Sequence, residues 1–181
     1  MFFSCIHFSK VQKSSGGLNA YTNLFLSYSL FIITNYPELR FIEFACINNQ
    51  LTSLDVSNHT GCTALVELNC GNNQLTSLNA STNTALTRLH CYTNQLASLD
   101  VSGCTALVYL DCGINRLTGL DVSANTAIKQ LYCEENQFSA TALNSVFTAL
   151  PSRVPSDYAK IYIAENPGIF CIKYNSYFSK K

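Results

Sequence analysis

Nine cysteines in 181 residues suggest either a disulfide scaffold or a metal centre. Their spacing speaks against both. Cys70, Cys91, Cys112 and Cys133 follow one another at intervals of 21 residues, and Cys46 precedes Cys70 by 24. Zinc sites draw on Cys-x-x-Cys or closely spaced His pairs. Neither occurs, and the three histidines are scattered. A regular long period is instead the mark of a repeat. His90 and Asp111 would supply two members of a nucleophilic triad. Cys91, however, follows His90 directly and points to the opposite side of any strand that carries it. No Ser or Cys nucleophile joins the pair, and no glycine-rich phosphate loop is present, so the expectation is no catalytic residue, no metal and no cofactor. The recurring Asp55, Asp100 and Asp121 invite a calcium reading, but the surrounding positions lack a dense oxygen cage. Fixing turns through side-chain to backbone bonds suits them better.

The elements that hold these residues are legible from the cysteine alignment. Leu65-x-x-Leu68-x-Cys70-x-x-Asn73-x-Leu75 recurs from Leu86, from Leu107 and, with Ile128 and Phe138 in apolar places, from residue 128. Phe41-x-x-Phe44-x-Cys46-x-x-Asn49-x-Leu51 is an upstream unit, followed by a three-residue insertion near Asn58 to Gly61. Each unit contains a second, similar half, as in Leu75-x-x-Leu78-x-Ala80-x-x-Asn83. Alternating apolar residues over so few positions describe short strands, since helices need longer runs. The spacing predicts a flattened, mainly β solenoid with a short parallel strand on each of two faces. Successive turns stack at roughly 4.8 Å.

Leucine columns then fill the interior. Asn49, Asn73, Asn94, Asn115 and Asn136 form a corner column that hydrogen-bonds the backbone of its own bend and of the next turn. The five ladder cysteines point inward as small buried hydrophobes. Their side chains run parallel at about one strand spacing, whereas a disulfide wants Cβ atoms near 3.8 Å, so free thiols are expected. Cys62 and Cys104 fall in the column of Asn83 and Asn125, two turns apart and too distant to bridge. Cys5 and Cys171 lie outside the repeat.

The two faces differ in outward residues. The second is monotonous: Ser53 and Asp55, Ser77 and Asn79, Ser98 and Asp100, Gly119 and Asp121. The first varies from turn to turn. Its columns read Glu43, Glu67, Arg88, Tyr109, Gln130; then Ala45, Asn69, His90, Asp111, Tyr132; then Ile47, Gly71, Tyr92, Gly113, Glu134. Side chains of one column touch across adjacent strands. The candidate binding residues are therefore Glu67, Arg88, His90, Tyr92, Tyr109, Asp111, Gln130 and Tyr132. Tyr and Arg are the residue types that dominate binding hot spots.

The repeat grammar resembles the leucine-rich repeat family, above all the short cysteine-bearing repeats of bacterial cell-surface proteins of internalin-like and Bacteroidetes type. The resemblance covers Phe41 to Phe138. The segments from Asn136 to Pro151 and from Lys160 to Gly168 resemble the closing part of such proteins. It implies a leucine-rich repeat solenoid that recognises a protein or a glycan, on the cell surface or secreted.

The chain divides into three regions. Residues 1–40 are a leader or cap, 41–138 a solenoid of about five turns, and 139–181 a C-terminal cap. In the cap, Ser139 is the N-cap of a helix over 140–150 stopped by Pro151. Leu143, Val146, Phe147 and Leu150 share the face that covers the last turn. A strand over 160–164 and an irregular tail complete it. Before the repeats, Lys10 and Lys13 precede an apolar stretch from Leu24 to Ile33, which lacks the small-residue cleavage pattern of an export signal. An export signal or anchor, an amphipathic cap over the Phe41 turn and a disordered leader all remain open, and a cytoplasmic location stays open with them.

Composition narrows the function classes. Charged residues make up only 12%, with eleven basic balanced by eleven acidic, which removes a nucleic-acid arm or acidic tail as the theme. No run of 18 apolar residues offers a stable membrane span. The leading expectation is a non-catalytic interaction module acting through the first face. The alternatives are a spacer without its own ligand and adsorption to a mineral or crystal lattice by the regular second face.

Overall fold

The computed structural model describes residues 43–56, 65–151 and 160–169. The expectations for residues 1–40, Phe41, Cys5, Cys62, Cys171 and the insertion near Asn58 fall outside them. Eight three-residue strands and one helix build the described chain: β1 Glu43–Ala45, β2 Glu67–Asn69, β3 Ser77–Asn79, β4 Arg88–His90, β5 Ser98–Asp100, β6 Tyr109–Asp111, β7 Gln130–Tyr132, α1 Ala140–Ala149 and β8 Lys160–Tyr162. They form a parallel solenoid. One sheet of six strands runs in the order β1-β2-β4-β6-β7-β8, and a second sheet pairs β3 with β5.

The 21-residue period appears directly as strand register. Phe44, Leu68, Leu89, Leu110, Leu131 and Ile161 are successive partners across the large sheet. Leu68, Leu89, Leu110 and Leu131 are buried, and behind them lie Leu75, Leu96 and Leu117. The ladder extends one residue past each strand, because Cys46, Cys70, Cys91, Cys112 and Cys133 each donate a backbone N–H to the following turn. Their thiols are free and buried, as the strand alternation requires. Burial pushes the Cys46 thiol up to about 12 and raises Cys91, Cys112 and Cys133 as well.

The corner asparagines satisfy backbone groups that a tight bend leaves unpaired. Asn115 donates through Nδ2 to the carbonyls of Cys112 and Gly113 in its own bend and of Cys91 in the neighbouring turn, each at 3.1 Å. Its Oδ1 accepts from Leu96 N at 2.9 Å. Asn73, Asn94 and Asn136 repeat the pattern. The neighbouring turn is the preceding one, not the next as the sequence suggested. The bend just before each Asn passes through a left-handed residue: Asn48, Asn72, Thr93, Ile114, Glu135 and Glu165 all have φ between 50° and 59°.

On the second face, Asn83 and Asn125 donate to Val56 O and Val101 O, at 3.2 Å and 2.8 Å. Cys104 occupies the same column and its Sγ donates to Ala80 O at 3.1 Å. A thiol thus replaces the amide donor. Burial raises this thiol to about 11. The expected strands around Leu54 and Leu120 do not form. Gly119 contributes no side chain to the sheet, and a strand interior is weakened by glycine. After one further turn of the large sheet, the chain continues into α1 instead of another repeat half.

The helix α1 closes the far end. Ser139 Oγ accepts from Ala142 N at 3.1 Å, and Leu150 is the C-cap. Leu143 and Val146 are buried, with Phe147 and Leu150 packed against the core. Phe138, fully buried, lies beneath. β8 then adds a sixth strand to the large sheet, three residues long where the sequence suggested five.

Candidate functional site

The large sheet places the variable residues as the alternation demands: inward Leu, outward everything else. Glu67, Arg88, Tyr109, Gln130 and Lys160 are register partners in one outward row. Asn69, His90, Asp111, Tyr132 and Tyr162 form the next. All eight residues singled out by sequence thus lie on one face, with Tyr92 just beyond β4 in a third row.

Within this face the side chains segregate into an ionic end and an aromatic ridge. Arg88 pairs with Glu67 at 3.2 Å, and His90 Nε2 lies 3.8 Å from the other Glu67 oxygen. The Arg88–Glu67 pair is largely exposed, so it orients side chains more than it stabilises the fold. From His90 the rings run without a break. His90 and Tyr109 have centroids 4.7 Å apart, Tyr109 and Tyr132 5.3 Å, and Tyr132 and Tyr162 4.4 Å with planes only 7° apart. The repeat period alone does not bring Tyr162 into this patch. Its signal is present, since Ile161-Tyr162-Ile163 continues the in-out alternation, but 30 residues separate β8 from β7 where 21 separate β2, β4, β6 and β7 and 24 separate β1 from β2.

The third row is shaped by glycine. Tyr92 lies over Gly71, so closely that a Cβ there would meet its ring carbons at 2.7 Å and 2.8 Å. Glu134 lies over Gly113 in the same way, with Oε1 at 3.0 Å from such a Cβ. Asp111 bends toward the same glycine, its Oδ1 accepting from Gly113 N at 3.3 Å, and it takes a second bond from the Tyr109 phenol.

Electrostatics track burial. Desolvation holds the His90 imidazole below its ordinary range, against the opposing pull of Glu67 and Asp111. It lifts the carboxyls of Asp111 and Glu134 above theirs, and Glu134 is raised further by Asp111 and Glu135. The phenols of Tyr109 and Tyr132 are pushed up for the same reason, so they remain hydroxyl donors at neutral pH. His90 and Asp111 are neighbours, as expected, while the Cys91 thiol is buried on the other side of the strand. Among the described residues no group of three His, Cys, Asp or Glu side chains is arranged to hold a metal ion. No described helix is long and apolar enough to cross a membrane.

Known structures repeat this architecture. The functional domain of InlJ from Listeria monocytogenes, which includes a cysteine ladder, is 28% identical with a TM-score of 0.57, over 71% of this chain and 26% of that one. An internalin, InlF, from Listeria monocytogenes is 21% identical with a TM-score of 0.55, over 70% of this chain and 35% of that one. The chain therefore spans only about a quarter to a third of these two structures' length. No protein-family model matches it, and no curated protein does. The fold is an internalin-like leucine-rich repeat solenoid.

Proposed function

We propose that this chain is a non-catalytic interaction module of a bacterial surface or secreted protein, and that it recognises a protein partner through the six-stranded face. The observation that carries this reading is the unbroken ring ridge from His90 through Tyr109 and Tyr132 to Tyr162. It stands on a sheet whose backbone is fixed by the asparagine and leucine columns, so the rings are pre-ordered at little further entropic cost on binding. Tyr132 and Tyr162 stack and cover one face of each other, and the two tilted pairs beside them partly cover His90 and Tyr109. Sugar rings dock on open aromatic faces, whereas protein surfaces use edges, hydroxyls and charged neighbours, so the ridge favours a protein over a glycan.

The face supports binding rather than turnover. His90 and Asp111 have no nucleophile beside them, since Cys91 belongs to the core. A standard interface covers about 800 Å² per partner. Six three-residue strands at roughly 4.8 Å give a face near the lower limit of that size, which suits modest affinity or use within a longer array.

The test is capture from host and microbial surface extracts by wild type and by the Tyr109→Ala/Tyr132→Ala double variant. A species held only by wild type is the expected result. Equal capture by two folded proteins would turn the assignment to a spacer. Loss on Asp100→Ala/Asp121→Ala with the double tyrosine variant unaffected would move recognition to the second face.

A further inference from the structure

We infer that the large face pairs with the large face of a second copy of this chain, about a two-fold axis that runs parallel to the strands between β4 and β6. This inference rests on the recognition reading and names its partner.

An isologous pair brings one patch against itself, so the patch must complement its own reversal. The six strands stand in the order β1-β2-β4-β6-β7-β8, and their midline falls between β4 and β6. Rotation about that line sets β1 against β8 of the second copy, β2 against β7 and β4 against β6. Each outward row then lies on itself, read backwards. The face is lopsided in two independent ways, and the reversal matches both.

The first is charge. Glu43 and Glu67 stand at one end of the first row, and Lys160 stands at the other. In the middle, β4 carries Arg88 and His90, and β6 carries Asp111. Arg88 remains 63% exposed while it pairs with Glu67, so it still presents charge outward. Reversal places Glu43 against Lys160, Glu67 against Gln130, and Arg88 and His90 against the strand of Asp111. No like charges oppose each other in the two rows. An axis on β4 would set Arg88 against its own copy, and an axis on β6 would do so for Asp111. Complementary charge of this kind fixes register and rejects alternatives more than it adds affinity.

The second is height. Tyr132 and Tyr162 raise the second row at β7 and β8, whereas Ala45 and Asn69 occupy the same row at β1 and β2. Reversal sets Tyr162 on Ala45 and Tyr132 on Asn69. Large residues thus meet small ones, as facing layers require, and the stacking within each ridge is left intact. The backbone permits the approach. Strands hydrogen-bond on the second face too, where β3 pairs with β5 at the ordinary spacing, so the stack there is not bent toward the large sheet. Two such sheets pack aligned within about 30°. The area is near the lower limit of a standard interface, which makes the pair a reversible one.

The experiment is sedimentation of the full chain from micromolar to near-millimolar concentration, under reducing conditions so that no disulfide link contributes. Wild type should show a reversible monomer–dimer equilibrium. Glu43→Lys and Lys160→Glu, both at exposed positions of the edge strands, should each weaken it by about fivefold or more, because each variant opposes like charges twice in its own dimer. Mixing the two variants should restore association to near the wild-type level, since every reversed residue then meets an opposite charge. Circular dichroism confirms that each variant is folded. A monomer at every concentration overturns the inference. So does association that ignores Lys160→Glu, and so does a mixture that stays as weak as its components. If the chain stays monomeric while Tyr109→Ala/Tyr132→Ala still loses a captured partner, self-pairing falls and the recognition reading stands. If that variant also loses nothing, both fall.

Discussion

Both faces of the solenoid carry outward acidic residues, with Asp111 and Asp100 at matching places, yet those residues shift in opposite directions. On the second face Asp100 and Asp121 accept backbone bonds from Ser102 and Ser123, at 3.0 Å and 2.9 Å, and these bonds hold both carboxyls below their ordinary range. On the first face burial lifts Asp111 and Glu134 above theirs. One backbone repeat therefore produces structural carboxylates on one side and frustrated ones on the other. The difference lies in burial, and in the hydroxyl that accompanies the backbone donor on the second face. A serine two positions beyond the acid presents N–H and hydroxyl donors within a bend. On the first face Asp111 accepts the equivalent backbone bond from Gly113 N, but glycine adds no hydroxyl and the burial of Asp111 outweighs that one bond. Structural rules are written on the regular face, and departures from them collect on the variable one.

The hardest test of this contrast removes what both faces depend on. Asn115→Leu strips three donor bonds and one acceptor bond from a buried corner. It should cost about 3 kcal/mol or more in denaturant unfolding, at roughly 1–3 kcal/mol for each buried group left unpaired. Tyr92→Ala, on the outward row one turn back, should cost less than Asn94→Leu. Equal melting of the two would reverse the inward and outward assignment.

A gain is expected next. Ile114 is a β-branched residue at φ 55° and is 44% exposed, the one large hydrophobic residue so exposed among those described. The left-handed region costs an ordinary residue roughly 1–2 kcal/mol and suits asparagine far better. Ile114→Asn should therefore raise the melting temperature by an amount equivalent to about 1 kcal/mol. Asn48 and Asn72 already occupy equivalent corners.

The carboxylates separate by pH. Glu134 has a raised folded pKa, so the stability associated with its neutral form is present below the unfolded value and is lost as pH rises through the folded one. Glu134→Gln should thus stabilise at pH 7 and give little gain near pH 3.5, read by thermal melts at both. Asp100 has a lowered folded pKa, so its contribution is present above the unfolded value and disappears as pH falls through the folded one. Asp100→Asn should destabilise slightly at pH 7 and not at all in strong acid. This is the smallest effect, because the group is exposed.

Much of this was legible in the sequence, and the reasons are specific. The 21-residue period determines which residues pair, so Glu67, Arg88, Tyr109 and Gln130 fall into one row on spacing alone. The Ser139 cap and the apolar spacing of Leu143 and Val146 mark α1. Tyr162 escapes because the longer link between β7 and β8 breaks the period that locates its companions. The left-handed corner escapes because Thr93, Ile114 and Glu135 disguise a position where Asn48 and Asn72 are the natural occupants. The lean of Glu134 over Gly113 depends on the space a missing side chain leaves, which spacing alone does not reveal.

The buried thiols give the solenoid a built-in clock. Alkylation requires thiolate and access, and burial denies both. Each of Cys46, Cys70, Cys91, Cys112 and Cys133 sits in a different turn, so each is trapped only when its own turn opens. In a one-dimensional stack, openings spread from neighbour to neighbour. Mass spectrometry of the native protein held with iodoacetamide would therefore read, cysteine by cysteine, from which end the coil unwinds and how many turns leave together.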